Sequence, residues 1–356
     1  MLDFTVEKFL TFDDVLLMPN YSEIVPVDVD LRTELSSKLI LTIPILSAPM
    51  DTVTEQNMLI ALARQGGLGI LHRNLPIAEQ AQMLKEVLDL ELKAGAAVGV
   101  GADFKERVDV LAKLRPSTIC IDSAHGHTKN VIEATRYIKL QYPEIYLVVG
   151  NTSTYAGTKA LFEAGASAVK VGMGSGSICT TRIMSGVGVP QLSAIIEAAK
   201  AAREFQRPII ADGGIKTSGD IVKALAAGAS AVMLGSLLAG TDESVGEIVE
   251  LQGKYYKSYR GMGSVKSMVK GSASRYGQEY NEGQEKFMVP EGVEGLVPSR
   301  GPLDLWLNQL MGGLRAGFAY LGSKDLNTLH ETARFIQITQ AGVIESKPHS
   351  ILQGCI

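Results

Sequence analysis

Cys179 sits in a glycine-rich run, Gly172-Met-Gly-Ser-Gly-Ser-Ile-Cys-Thr-Thr-Arg182, directly after the apolar stretch Ala168-Val-Lys-Val171. Glycines at 172, 174, 176, 186 and 188 let backbone N–H and C=O groups come close to a ligand. A thiol among such groups can lose its proton near neutral pH and attack carbon. A small cysteine buried in a tight turn is the bland alternative, but it leaves two flanking threonines and Arg182 unexplained. The chemistry expected of this loop is nucleophilic.

The other candidate groups fall at the ends of apolar runs. Such runs occupy 43–47, 67–71, 96–100, 118–122, 146–150, 168–172, 208–212 and 231–235. Stretches with apolar spacing of 3 and 4 separate most of them, such as Leu192, Ile195, Ile196 and Ala199, or the helix expected over 78–90. Fully apolar strands alternating with amphipathic helices predict a parallel sheet covered on its outer face. Eight of them predict closure into an α/β fold of the (β/α)8 TIM barrel class, with a doubly wound open sheet as the other reading. Ala164-Gly-Ala-Ser-Ala-Val169 recurs as Ala227-Gly-Ala-Ser-Ala-Val232, and more loosely as Lys93-Ala-Gly-Ala-Ala-Val98. Each echo reads as a helix end, a glycine cap and the next strand. Ser47, Asp122-Ser123, Gly150-Asn151, the Cys179 loop, Asp212-Gly213-Gly214 and Gly235-Ser236 all then share one rim. That is the face where barrels carry chemistry, and the last two loops are the ones that commonly hold a phosphate.

Residues from about 252 to 301 break the pattern, with nine glycines and little periodicity. So long a connection is expected to be a lid or flap, with exposed irregular chain as the alternative. It carries Ser258-Tyr-Arg-Gly-Met-Gly-Ser264, Arg275-Tyr276 and Glu291-Gly292. His125-Gly-His127 has no further cysteine or histidine at ligand spacing, which argues against a metal pair. Gly172-Met-Gly-Ser-Gly176 lacks the G-x-G-x-x-G spacing of a dinucleotide fingerprint.

Bulk properties narrow the class. The chain has 356 residues, 46% of them apolar and 20% charged, enough for one large core. A net charge of −4 offers no general field for nucleic acid or acidic membranes. The three cysteines, Cys120, Cys179 and Cys355, are widely spaced and predict a reducing, cytoplasmic setting. No apolar run approaches membrane-spanning length, and the N-terminus carries no secretory pattern.

Together these motifs resemble inosine 5′-monophosphate (IMP) dehydrogenase. Six carry the resemblance: Ser47-Ala-Pro-Met-Asp-Thr-Val-Thr-Glu55, Ile121-Asp-Ser-Ala-His-Gly-His127, Gly174-Ser-Gly-Ser-Ile-Cys-Thr-Thr-Arg182, Ala211-Asp-Gly-Gly-Ile215, Tyr259-Arg-Gly-Met-Gly-Ser264 and Arg275-Tyr276. The similarity runs from Leu10-Thr-Phe-Asp-Asp14 to Glu345-Ser-Lys-Pro-His349. The related GMP reductase shares the barrel and the cysteine loop. Its first motif resembles Ala-Asn-Met-Asp, its later one Tyr-Gly-Met-Ser-Ser, and it lacks the Arg-Tyr pair. Three departures from the family stand out. No regulatory pair of cystathionine-β-synthase-type modules follows the second strand, so one domain over 1–356 is expected. Gly277 replaces a phenylalanine, and Lys266-Ser267 replace small residues.

The resemblance implies NAD-dependent oxidation of IMP to XMP. Cys179 would add to C2 of the purine, C2 would give hydride to NAD, and water would hydrolyse the thioimidate. Water activation falls to Arg275 with Tyr276 and Thr181, and secondarily to Glu291 through Thr181. An arginine pKa above 12 makes a neutral guanidine cost roughly 7 kcal/mol at pH 7. Asp212 would hold the ribose, and Ser177, Gly213, Gly214, Gly235, Ser236 and Tyr259 would surround the phosphate. Asn151, Gly261, Met262, Gly263 and Glu291 would lie about the base, with Ser47 and Met50 also on the substrate. Asp122, Ser123, Gly172, Met173 and Gly174 would contact NAD. Carbonyls of Gly174, Gly176 and Cys179 resemble a K⁺ site completed by Glu345, Ser346 and Lys347 of a neighbouring subunit, which implies a homo-oligomer, a tetramer. A non-catalytic nucleotide-binding barrel is the alternative of another class.

Overall fold

The computed structural model describes residues 6–278, 280–283 and 285–348; Cys355 and His349 lie outside them. Eight parallel strands close into a barrel. They are β1 (Ile45–Ser47), β2 (Leu68–Leu71), β3 (Ala94–Val98), β4 (Thr118–Asp122), β5 (Leu147–Thr152), β6 (Ala168–Val171), β7 (Ile209–Asp212) and β8 (Ala231–Leu234). The open-sheet reading is excluded, because β8 pairs with β1 as well as with β7.

Strand period sets two apolar layers. Leu46, Leu68, Ile70, Ala97, Cys120, Val148, Ala168, Ile210, Ala231 and Met233 fill the barrel interior. Alternate residues such as Ile45, Ile121, Val149, Val169 and Val232 face outward into the larger core under the helices. A hairpin absent from the sequence reading, Thr33–Ser36 with Leu39–Leu41, plugs one end of the interior with Leu35, Leu39 and Leu41.

The covering helices are α1 (Gln56–Arg64), α2 (Ile77–Leu88), α3 (Phe104–Lys113), α4 (Lys129–Gln141), α5 (Tyr155–Glu163), α6 (Gln191–Phe205), α7 (Ser218–Ala226) and α8 (Leu303–Tyr320). Helix α6 buries Leu192, Ala194, Ile195, Ala198 and Ala199, whereas Ile196, also counted in the 3–4 spacing, is exposed. Thr217 and Asp220 form a reciprocal capping box at the start of α7, and such a cap contributes about 1 kcal/mol. Both strong echoes are helix ends: Gly165 and Gly228 lie at φ 108° and 111°, a region costly for any other residue. The looser echo is not one, since Gly95 lies inside β3. No helix of the described residues is long and apolar enough to cross a membrane.

The 252–301 segment is not irregular throughout. Near its two ends β10 (Lys254–Arg260) and β11 (Glu294–Pro298) pair antiparallel, and β9 (Ile248–Leu251), just before the segment, adds a third strand. Between β10 and β11 the chain passes through a 3-10 turn, Ala273–Tyr276, ended by Gly277 in the left-handed region at φ 67°.

Candidate active site

The same strand period that fills the barrel also sets the floor of the site. Cys120, Ala168 and Ile210 point inward, so Asp122, Lys170 and Asp212, each two residues further on, form the next layer toward the C-terminal rim. Lys170 has no solvent exposure, and Asp122 has 2%. A lysine so placed is tolerable only if fully paired. Its Nζ donates to Asp122 Oδ1 at 2.9 Å, to Asp212 Oδ2 at 2.6 Å, and to Asn151 Oδ1. Asn151 Nδ2 in turn donates to Asp212 Oδ2 at 2.9 Å and to the Gly172 carbonyl at 2.8 Å. Sequence reading missed Lys170. The available signal was a single charge in the middle of an otherwise apolar strand.

Cys179 lies above this layer on a loop braced from two sides. The Thr180 amide donates to the Glu291 carbonyl at 2.9 Å, and the Val293 amide donates to that of Ile178 at 3.0 Å. The 291–293 strip is itself bonded to Gly261 and Gly263, through Gly261 N to Val293 O at 2.9 Å and Glu291 N to Gly263 O at 3.0 Å. Three segments remote in sequence are thereby fixed side by side. The result is a relay: the Cys179 thiol donates to Thr181 Oγ1 at 3.2 Å, and the Thr181 hydroxyl donates to Glu291 Oε2 at 2.7 Å. Cys120 offers no competing thiol, for it is wholly buried and burial pushes its thiol up to about 11.

Arg275 and Tyr276 reach the same cleft from the 3-10 turn. Ser272 donates to the Met262 carbonyl at 2.5 Å, the Ala124 amide to the Arg275 carbonyl at 3.3 Å, and Arg73 Nη1 to Ser274 Oγ at 3.1 Å. Arg275 Nη1 pairs with Asp122 Oδ2, while its buried Nε has no partner among the described residues. Arg73, also missed from sequence, is lowered to about 10 by burial and by the nearby charge of Arg275. Burial raises both Tyr259 and Tyr276, so each presents a neutral phenol at pH 7. A side chain at Gly263 would strike the backbone of Glu291 as well as the Tyr276 ring, which fixes glycine there.

Around this floor and loop lies a cleft open to solvent. Met50, Gly172, Met173, Gly174, Gly176, Ser177, Gly213, Gly214, Gly235, Ser236, Tyr259, Gly261 and Met262 line it with the residues above. Ser47 and Ser123 do not. Each follows an inward-facing residue, Leu46 and Asp122, and so has the opposite strand parity. Ser47 is wholly buried and accepts from Thr54 Oγ1 at 2.8 Å, and Ser123 donates to the His125 carbonyl at 3.4 Å. Glu345, Ser346 and Lys347 also lie outside the cleft lining, at the end of the helix Gln340–Glu345, which packs against the chain's own Phe12–Asp14 turn.

Fold and site define a (β/α)8-barrel enzyme with a cysteine on its catalytic rim. The profile of the IMP dehydrogenase / GMP reductase domain matches residues 9–349. Inosine-5′-monophosphate dehydrogenase of Aquifex aeolicus is 42% identical over 475 aligned positions, covering 97% of this chain and 96% of that protein. The Bacillus subtilis protein of the same name is 42% identical over 470 positions, covering 96% of each. The chain belongs to the IMP dehydrogenase / GMP reductase family of oxidoreductases. Both alignments are longer than the 356 residues here, so those relatives carry internal sequence that this chain lacks. That difference is consistent with a form without the regulatory modules: α2 ends at Leu88 and β3 begins at Ala94.

Proposed function

We propose that this protein oxidises IMP to XMP, with NAD as hydride acceptor and Cys179 as nucleophile, in the route to guanine nucleotides. The Cys179–Thr181–Glu291 relay within the cleft carries the reading. Cys179 Sγ forms a bond to C2 of the purine as its proton passes to Thr181 and Glu291. NAD, when bound, accepts the hydride that leaves C2. Water then adds to C2 of the resulting thioimidate, and the C2–Sγ bond breaks to return the thiol and release XMP. Splitting oxidation from hydrolysis replaces one hard step with two easier ones.

The floor and rim fit the two ligands. Asp212 keeps Oδ1 free of hydrogen bonds from the described residues, suited to the ribose hydroxyls of IMP. Gly214, Gly235 and Ser236, after β7 and β8, suit its phosphate. Asp122 Oδ2 faces the cleft and suits the ribose on the nicotinamide side of NAD, yet Arg275 already holds that oxygen. The two claims on Asp122 are exclusive, so the 252–301 segment acts as a flap that enters only after the reduced dinucleotide leaves. Arg275 and Tyr276 then shield and orient the water, and Glu291, having released the thiol's proton to solvent, takes the water's proton through Thr181 and returns it to the departing Cys179 sulfur. That relay avoids the roughly 7 kcal/mol needed to deprotonate an arginine at pH 7.

Carbonyl oxygens of Gly174 and Cys179 accept no hydrogen bond among the described residues, which suits K⁺. Glu345, Ser346 and Lys347 of a neighbouring subunit complete that site, in a cytoplasmic homotetramer. Within the family, reduction of GMP is the competing reaction, and the Arg275–Tyr276 pair in the cleft favours oxidation. Mixing the protein with IMP, NAD and K⁺ should yield NADH. Cys179→Ala should lower that rate more than about a thousandfold while IMP still binds. Wild-type turnover in the alanine variant would exclude the covalent route.

A further inference from the structure

Lys170 sits at the centre of the cleft floor, and no step of the proposed reaction uses it. An ammonium has three N–H donors. All three are spent inside the protein, on Asp122 Oδ1, Asp212 Oδ2 and Asn151 Oδ1. Each carboxylate is thereby divided. Asp122 keeps Oδ2 for Arg275. Asp212 keeps Oδ1, and its side chain is the more exposed of the two, at 17% against 3%. The buried oxygen of Asp212 is held twice, by Lys170 and by Asn151 Nδ2, so the carboxylate cannot turn that oxygen outward without breaking two bonds.

We propose that Lys170 is a positioning residue that couples the two halves of the cleft, aiming Asp212 at the nucleotide and Asp122 at Arg275. When Arg275 withdraws, Lys170 keeps Asp122 from following it, so the same oxygen stands ready for the next partner. The nucleotide half of this inference rests on the reading of IMP as substrate. The Asp122–Arg275 half stands without it.

Removing Lys170 alone leaves Asp122 and the partly buried Asp212 without their shared cation, and such a variant is prone to misfold. Comparing Asp212→Asn with Lys170→Met/Asp212→Asn avoids this, because in the double variant Arg275 still balances Asp122. Amide hydrogen exchange over residues 268–277 of the ligand-free protein is the readout. Exchange there should be at least fivefold faster in the double variant than in Asp212→Asn, with barrel-strand amides unchanged. Equal exchange in the two would overturn the proposal, because Lys170 would then be only a counter-charge. Calorimetry with IMP adds the second arm: Lys170→Met that folds, by circular dichroism, should bind at least tenfold more weakly than wild type. Unchanged affinity would remove the Asp212 half. A wild-type protein that makes no NADH and binds no IMP would sink the substrate reading, while the exchange comparison would still decide the Asp122 half.

Discussion

At the residue scale, the proposed reaction divides two tasks between groups from different parts of the chain. The thiol and its Thr181–Glu291 relay belong to the barrel loop and the strip bonded to it, whereas Arg275 arrives from the far turn. Removing one group should therefore not slow both steps equally. Arg275→Ala should keep the initial burst of NADH and slow later turnover about a hundredfold. The covalent adduct should then build up on Cys179, visible by mass spectrometry of quenched enzyme. Loss of the burst itself would place Arg275 in binding or oxidation.

At the element scale, Asp51 ties the loop after β1 to β10 and the chain that follows it. Arg260 grips it with Nε to Oδ1 at 3.1 Å and Nη2 to Oδ2 at 2.7 Å, Ser267 donates to both its oxygens at 3.2 Å, and Asn74 donates at 3.3 Å. Ser267, one of the departures from the family pattern, thus has a defined role as a donor to Asp51. Lys266, the other, makes an exposed pair with Glu294, which contributes little. Burial opposes ionisation of Asp51, but Arg260 and Asn74 outweigh it and hold the carboxyl below its ordinary 3.8. A depressed folded pKa means that the unfolded chain binds the proton more readily. Its stabilisation is present above that ordinary value and is lost as pH falls through the folded pKa. Asp51→Asn should cost about 2 kcal/mol at neutral pH. Its melting temperature should also fall less steeply than wild type between about pH 5 and about pH 3. Parallel curves would show that Asp51 does not supply this acid sensitivity.

At the scale of the whole molecule, the cation site as proposed requires a second copy of the chain. Within one chain, Glu345, Ser346 and Lys347 do not line the cleft. K⁺ should raise turnover severalfold over choline, and truncation before Glu345 should remove that activation. Gel filtration should show a tetramer for the full chain. Equal rates in K⁺ and choline would count against the shared site.

The sequence by itself determined the barrel, because fully apolar strands alternating with helices have few other ways to bury both faces. Strand ends were less sharp: the third strand runs Ala94–Val98, two residues earlier than its apolar run suggests. Cys179 was legible as a cleft candidate from its loop, and so was most of the cleft lining, since barrel connectivity puts every strand's C-terminal end on one rim. Strand parity was legible too, and counting it from Cys120, Ala168 and Ile210 would have found Lys170 and set aside Ser47 and Ser123. The β9–β11 sheet was not, because β9 and β11 are largely exposed and the buried positions of β10 are Lys257 and Tyr259, so no apolar alternation marks it. Only the tertiary structure decided that Glu291 meets Thr181 across 110 residues of chain, and that Arg275 spends its charge on Asp122. Those contacts depend on how the loop around Cys179, the strip at 291–293 and the turn at 273–276 converge in space, and no local pattern encodes a distance between remote segments.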